Sequence, residues 1–150
     1  MGKKIKTCIF ISGNGSNLKS ILKNSRDCNF PIKIGLIISN NIKANGLKIA
    51  KKYSIPYKYF SPKSQKIFER KSLFEIRKRN IKFLCLAGYM RILSNNFIRS
   101  FNNKIINIHP SLLPKYKGLD THKRVLKNKE KFSGCTVHYV TPDLDSGKII

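Results

Sequence analysis

The chain has 150 residues, 41% of them hydrophobic, and a formal net charge of +24 at pH 7. This length and apolar fraction suit one domain with a single core and argue against disorder. Since no stretch reaches the ~18 uninterrupted apolar residues of a membrane span, and no cleavage site follows the basic start, we expect neither a membrane span nor a signal peptide.

Strands and helices are predicted to alternate along the chain. Apolar, β-rich runs predict strands at residues 6–12, 33–39, 57–60, 83–87, 104–108 and 134–140, with a further one beginning at 148–150. Amphipathic spacing predicts helices at residues 17–23, 45–53, 64–79, 95–101 and 121–127. The alternation predicts an α/β fold: a Rossmann-like, doubly wound, mostly parallel sheet with helices on both faces. Because the last strand breaks off at Ile150, we expect the domain 1–150 to be truncated at its C-terminus.

Cysteines and charge bound the function only loosely. The four cysteines (Cys8, Cys28, Cys85 and Cys135) are far apart, and three lie in apolar runs. This favours buried thiols in a reduced, cytoplasmic protein without structural zinc. The charge predicts non-specific affinity for polyanions, but the lysines are scattered. A compositional bias towards Lys, Asn and Ile explains the charge better than a nucleic-acid site does.

Three unusual loops are predicted to meet at one edge of the sheet. "SGNGSN" (12–17) follows the first strand, "AGYMRIL" (87–93) the fourth, and "NIHPSLLPKYKG" (107–118) begins in the fifth. In a doubly wound sheet the first strand lies beside the fourth, and ligands bind beyond the carboxyl ends of the strands there. "SGNGSN" is either an anion site at a helix start or an ordinary strand-to-helix turn.

Asn107 and His109 are the main candidates for chemistry. Alternation along a strand places both on the same face, where an amide could donate to an oxyanion and an imidazole could transfer a proton. A carboxylate beside His109 would hold its tautomer, and Asp143 and Asp145 are the nearest scarce acids. The alternative is that His109 only satisfies the proline turn and the two Asp residues cap it.

Three further residues are weaker candidates. His122 is interpreted as a helix cap and His138 as a structural partner within a strand. A nucleophilic role for Cys135 is not favoured, and no His or acid spacing suggests a metal site.

The motifs "ISGNGSNL", "AGYMRIL", "NIHPSLLPKYKG", "THKRVL" and "GCTVHYVTPDLDSG" occur in an order and spacing that resemble the phosphoribosylglycinamide formyltransferase family. The resemblance implies formyl transfer from the co-substrate 10-formyltetrahydrofolate to glycinamide ribonucleotide, without a metal, by a monomer or homodimer. It implies that Gly15, Ser16 and Asn17 hold the substrate phosphate. It also implies a catalytic trio made by Asn107, His109 and Asp145. The folate pocket that it implies is formed by Met90, Arg91, Ile92, Leu93, Asn107, Val140 and Asp145.

By the same resemblance, the glycinamide amine attacks the formyl carbon directly. Asn107 and protonated His109 would stabilise the resulting oxyanion, and Asp145 would keep His109 charged and oriented. The chain departs from the family where an arginine is usual, since Gln65 and then Lys66 stand there. Two other functions stay open: a methionyl-tRNA formyltransferase-like enzyme, and a basic Rossmann-like module that binds nucleic acid without catalysis.

Overall fold

The structure, a computed structural model, describes residues 4–150. It consists of one six-stranded sheet and five α-helices in the described residues. The strands are β1 (Ile5–Ile11), β2 (Ile32–Ser39), β3 (Tyr57–Tyr59), β4 (Phe83–Leu86), β5 (Lys104–His109) and β6 (Thr136–Tyr139). The helices are α1 (Ser16–Asn24), α2 (Asn45–Lys52), α3 (Gln65–Lys78), α4 (Asn95–Phe101) and α5 (Thr121–Lys127).

The sheet has the strand order β3-β2-β1-β4-β5-β6. Strands β2 and β3 extend the sheet on one side of β1, and β4 to β6 extend it on the other side. All neighbouring strands pair in parallel except β5 and β6, which are antiparallel. The predicted doubly wound, mostly parallel sheet is confirmed. The strand expected at residues 148–150 is reduced to a single antiparallel bridge between Ile149 and His138.

Helices cover both faces of the sheet because side chains alternate along buried strands. In β1, Cys8 and Phe10 belong to the core that includes α3 and α4, whereas Ile9 and Ile11 belong to the core that includes α1 and α2. Phe10 lies at the centre of the first core, with aromatic rings of α3, α4 and the loop after β4 around it. Helices α3 and α4 each begin at a serine that accepts a hydrogen bond from a backbone N–H in the first turn.

The cysteines divide evenly between the interior and the surface. Cys8 and Cys85 are buried, and burial raises the pKa of the Cys85 thiol to about 12. Both therefore behave as small apolar side chains. Cys135 is exposed, so the expectation of three buried thiols is wrong for this residue; the strand predicted around it begins only at Thr136. No helix in residues 4–150 has the length and apolarity needed to cross a membrane.

Close packing of α2 against the loop after β1 requires glycine at one position in particular. Gly15 has a φ of 77° and caps α1. A Cβ there would lie 2.8 Å from the Cα of Gly46 in α2, whereas a Cβ at Gly13 would meet nothing within 4 Å. In the loop "SGNGSN", contact with α2 therefore requires a glycine at position 15, whereas position 13 has room for a side chain.

We therefore expect Gly15→Ala to destabilise the fold by about 1–3 kcal/mol, because it adds left-handed backbone strain and a clash with backbone atoms. Gly13→Ala is the matched control and should leave stability nearly unchanged. Urea unfolding of the two variants measures the difference. Equal stabilities would show that α2 does not constrain the loop as the structure indicates.

Candidate active site

A cavity of about 1270 Å³ opens beyond the carboxyl ends of β1, β4 and β5. Every site residue named from the sequence lines it, from the loop after β1 to the segment after β6. The predicted convergence of three loops is therefore confirmed, because the order β1-β4-β5 places their ends side by side. The individual binding roles of these residues remain predictions.

Ser12 joins the first two of these loops. Its backbone N–H donates to the Gly88 carbonyl at 3.1 Å, and its hydroxyl accepts from the Met90 N–H at 2.8 Å. The same hydroxyl donates to Asn40 Oδ1 at 2.8 Å. Ser12 is buried, so these bonds fix the relative position of the loops after β1, β2 and β4. Sequence reasoning assigned Ser12 no function, since nothing local distinguishes it from a turn serine.

The start of α1 faces the cavity with unsatisfied backbone donors. Gly15 is the N-cap residue but provides no side-chain cap, and the first helical bond runs from Lys19 N to Gly15 O at 2.8 Å. The amides of the first helical turn therefore have no partner within the helix. Backbone N–H groups and the positive end of the helix dipole favour an anion at this place.

Asn107 and His109 lie at the end of β5, one residue apart, as predicted. In the antiparallel register Asn107 is opposite His138, and His109 is opposite Thr136. His109 is buried. Because its backbone pairs with β6, the sheet fixes the point from which the imidazole extends.

Asp145 lies between the two histidines. Its Oδ2 is 3.3 Å from His109 Nδ1, and its Oδ1 is 3.5 Å from His138 Nε2. Gly118 donates its backbone N–H to Asp145 Oδ2 at 2.9 Å, which ties the carboxylate to the loop after β5. Asp145 has a φ of 45°, a left-handed conformation that Asp adopts more readily than most residues. The expected pairing of His109 with a carboxylate is therefore present, and Asp143 is exposed instead.

The other ring nitrogen of His109 faces a carbonyl. His109 Nε2 is 2.8 Å from the backbone oxygen of Tyr116. Each ring nitrogen therefore has an acceptor beside it, an arrangement that a doubly protonated imidazole satisfies. A substrate atom must replace the Tyr116 carbonyl at Nε2 before the ring can donate a proton to that atom. His109 thus contacts the proline turn and the carboxylate together, so the two alternatives considered for it are not exclusive.

His138 lies within a strand and makes structural contacts there, as expected, and it also lines the cavity. It is buried, and its Nε2 lies 3.3 Å from Asn107 Nδ2. Its Nδ1 is 2.9 Å from the carbonyl of Tyr139, which favours the hydrogen on Nδ1. A neutral ring then accepts at Nε2 from the Asn107 amide, whereas a protonated ring donates there to Asp145. Only the pairing of β5 with β6 brings His138 into reach, so sequence spacing gave no signal for it.

Two weaker candidates also line the cavity. His122 lies in the first turn of α5, where it is exposed. Asp120 rather than His122 is the N-cap residue of α5, so the capping interpretation is wrong. Cys135 is exposed beside the start of β6. Among residues 4–150 no group of three or more His, Cys, Asp or Glu side chains is arranged to hold a metal ion.

Comparison with known proteins gives consistent matches. Residues 5–150 match the sequence model of the family described as Formyl transferase. The human trifunctional purine biosynthetic protein adenosine-3 is 39% identical over 99% of the chain, which spans only 15% of that protein. Phosphoribosylglycinamide formyltransferase of Bacillus subtilis is 35% identical over 97% of the chain and is covered over 76% of its own length. The crystal structure of glycinamide ribonucleotide transformylase 1 from Symbiobacterium toebii superposes with a TM-score of 0.94 at 35% identity, covering 100% of this chain and 72% of that one.

Thr136 holds the loop that carries the Tyr116 carbonyl. Its buried hydroxyl donates to Ser111 O at 2.7 Å and accepts from Leu113 N at 3.0 Å. We expect Thr136→Val to destabilise the protein by about 1–3 kcal/mol, because it keeps the shape and leaves two backbone groups unpaired. Thr136→Ser retains the hydroxyl and should lose less than Thr136→Val. Chemical denaturation of both variants tests this, and a valine variant as stable as the serine variant would contradict it.

Proposed function

The chain belongs to the formyl transferase family, and from that premise we propose that it transfers a formyl group from 10-formyltetrahydrofolate to the amine of glycinamide ribonucleotide. The observation that carries the proposal is the placement of Asn107, His109 and Asp145 together on one cavity, with the Asp145 carboxylate 3.3 Å from His109 Nδ1. Two of the relatives reported above are named as enzymes that act on glycinamide ribonucleotide. Their names support this acceptor over methionyl-tRNA.

The two substrates are assigned to opposite sides of the cavity. We assign the phosphate of glycinamide ribonucleotide to Gly15, Ser16 and Asn17, because the first turn of α1 offers free amides there. We assign the folate to residues 90–93 and 140–145, where the exposed apolar side chains of Met90 and Ile92 face the cavity. These assignments leave the reacting amine and formyl group between the two sides, beside the end of β5.

The chemistry requires a donor to the oxyanion and a proton carrier. As the neutral amine attacks the formyl carbon, negative charge develops on the formyl oxygen. Asn107 Nδ2 has two hydrogens, so it can donate one to His138 Nε2 and the other to that oxygen. Protonated His109 stabilises the same charge and then delivers its proton to the departing folate nitrogen, while the proton released by the attacking amine returns to His109, so the imidazole ends in the state in which it began. Asp145 keeps the ring oriented, and the products are tetrahydrofolate and formylated glycinamide ribonucleotide.

The proposal is tested by following the absorbance of the folate as the formyl group leaves, with glycinamide ribonucleotide as acceptor. We expect turnover with this acceptor and none without it. Transfer to initiator methionyl-tRNA instead would favour the tRNA-directed alternative. Binding of RNA or DNA that persists at high salt with a sequence preference, without any transfer, would favour the nucleic-acid module.

Asn107→Ala should lower kcat by ~100- to 1000-fold, the usual effect of removing one oxyanion donor. Asn96→Ala is the matched control, because Asn96 is exposed on α4 and does not line the cavity. Its turnover should equal that of the unchanged chain. Steady-state kinetics of the two variants, with thermal unfolding to verify folding, decides the matter. An Asn107→Ala protein with normal kcat would remove Asn107 from the mechanism.

A further inference from the structure

The loop at residues 90–94 is attached to the rest of the protein at nearly every residue. The Met90 N–H is bound by Ser12, and Arg91 donates to the Pro62 carbonyl at 2.6 Å. Leu93 is buried in the core. The remaining attachments, at Ile92 and Ser94, come from the first turns of α3.

Glu69 is the centre of these attachments. It is buried, and its carboxylate makes no salt bridge among the described residues. Instead it accepts hydrogen bonds from Ser94 N at 2.8 Å, Ser94 Oγ at 2.5 Å and Gln65 Nε2 at 3.0 Å. Burial of a carboxylate is costly unless donors surround it, so all three bonds are needed. We call Gln65, Glu69 and Ser94 the Glu69 network.

Gln65 extends this network to the cavity wall. Its Nε2 also donates to the Ile92 carbonyl at 2.9 Å. Because Nε2 faces a carboxylate and a carbonyl, both acceptors, the orientation of the amide is determined by its surroundings. Both of its hydrogens are occupied, so the side chain has only its carbonyl oxygen left to offer the cavity, which it lines.

These attachments matter for the two side chains on either side of Arg91, which lie at the cavity wall. Met90 and Ile92 are 63% and 62% exposed, although both are apolar and line the cavity. Attachment of their backbone holds these side chains at the cavity wall, where burial against a neighbouring apolar surface would otherwise be favourable. The Ile92 attachment depends on Gln65, and the orientation of Gln65 depends on Glu69.

We propose that Gln65 and Glu69 are positioning residues that fix the 90–94 loop for the formyl donor. This rests on the proposed function, since it takes the folate to be the ligand of that loop. Gln65 therefore supports donor binding indirectly, as an uncharged side chain that holds the loop by hydrogen bonds. It stands in the position where the family resemblance leads one to expect an arginine. The acceptor side of the cavity and the chemical step do not depend on it.

The experiment compares Gln65→Met, which removes both hydrogen bonds at similar size, with Gln65→Glu, which places a second carboxylate against Glu69. Lys66→Met is the control for both. It introduces the same residue as the first variant and the same change of charge as the second, at an exposed neighbour that does not line the cavity.

Two measurements are made on the full chain. Hydrogen exchange of the amides in residues 90–94 reports the order of the loop. The Kd for tetrahydrofolate, together with KM and kcat, reports donor binding. We expect faster exchange and a Kd about tenfold higher in Gln65→Met, with a larger rise in Gln65→Glu, in keeping with the loss of one or two hydrogen bonds. The KM for the formyl donor should rise while kcat and the KM for glycinamide ribonucleotide stay unchanged. Lys66→Met should match the unchanged chain in every value.

The outcomes separate the two proposals. Normal exchange and normal Kd in a folded Gln65→Met protein would overturn the positioning role. A fall in kcat with unchanged donor affinity would overturn it as well, since the chemistry rather than the loop would then depend on Gln65. Absence of tetrahydrofolate binding by the unchanged chain would overturn the proposed function and the donor role with it. Hydrogen exchange would still show in that case whether the Glu69 network orders the loop.

Discussion

The parallel pairing of β1 with β4 is the constraint on which the rest of the molecule depends. Thr7 to Phe10 lie directly beside Phe83 to Leu86, and both strands are covered on their two faces. This pairing reverses the winding of the sheet, so the loops that leave β1 and β4 diverge and leave a crevice between their helices. Ser12 then fixes the two loops to each other by hydrogen bonds to Gly88 and Met90. The strand order therefore creates the cavity, and particular side chains only line it.

Two acids, the buried Glu69 and the half-buried Asp145, organise separate parts of the cavity wall in a chain that carries a net charge of +24. Glu69 collects donors from α3 and from the start of α4, whereas Asp145 lies between His109 and His138. Within residues 4–150, neither carboxylate forms a salt bridge with a lysine or an arginine. Glu69 accepts hydrogen bonds from an amide, a hydroxyl and a backbone N–H, whereas Asp145 accepts one from a backbone N–H and lies beside two imidazoles, so both interactions are directional rather than diffuse. The lysines and arginines of the described residues therefore take no part in either arrangement.

The antiparallel strand β6 adds what a purely parallel sheet would lack. It places His138 opposite Asn107 and Thr136 opposite His109, and the chain after it brings Asp145 back to both histidines. The Thr136 hydroxyl meanwhile holds the turn that presents the Tyr116 carbonyl to His109. One edge strand therefore orients the amide, the imidazole and the loop around them. Rigid elements hold these groups more closely than loops alone could.

The sequence by itself determined the alternation of elements, the parallel core and the edge where the site lies. Apolar periodicity and loop composition are local properties, and they were sufficient to place Asn107 and His109 on one face and to offer Asp143 or Asp145 as the nearby carboxylate. The choice of Asp145 over Asp143 came from the family resemblance. The exposure of Cys135, the contacts of His138 and the hydrogen bonds of Ser12, Gln65 and Glu69 were decided only by the tertiary structure. Each depends on strand register or on atoms distant in the chain. Periodicity predicts which face of a helix or strand a residue occupies, but it does not predict which residues pack against that face.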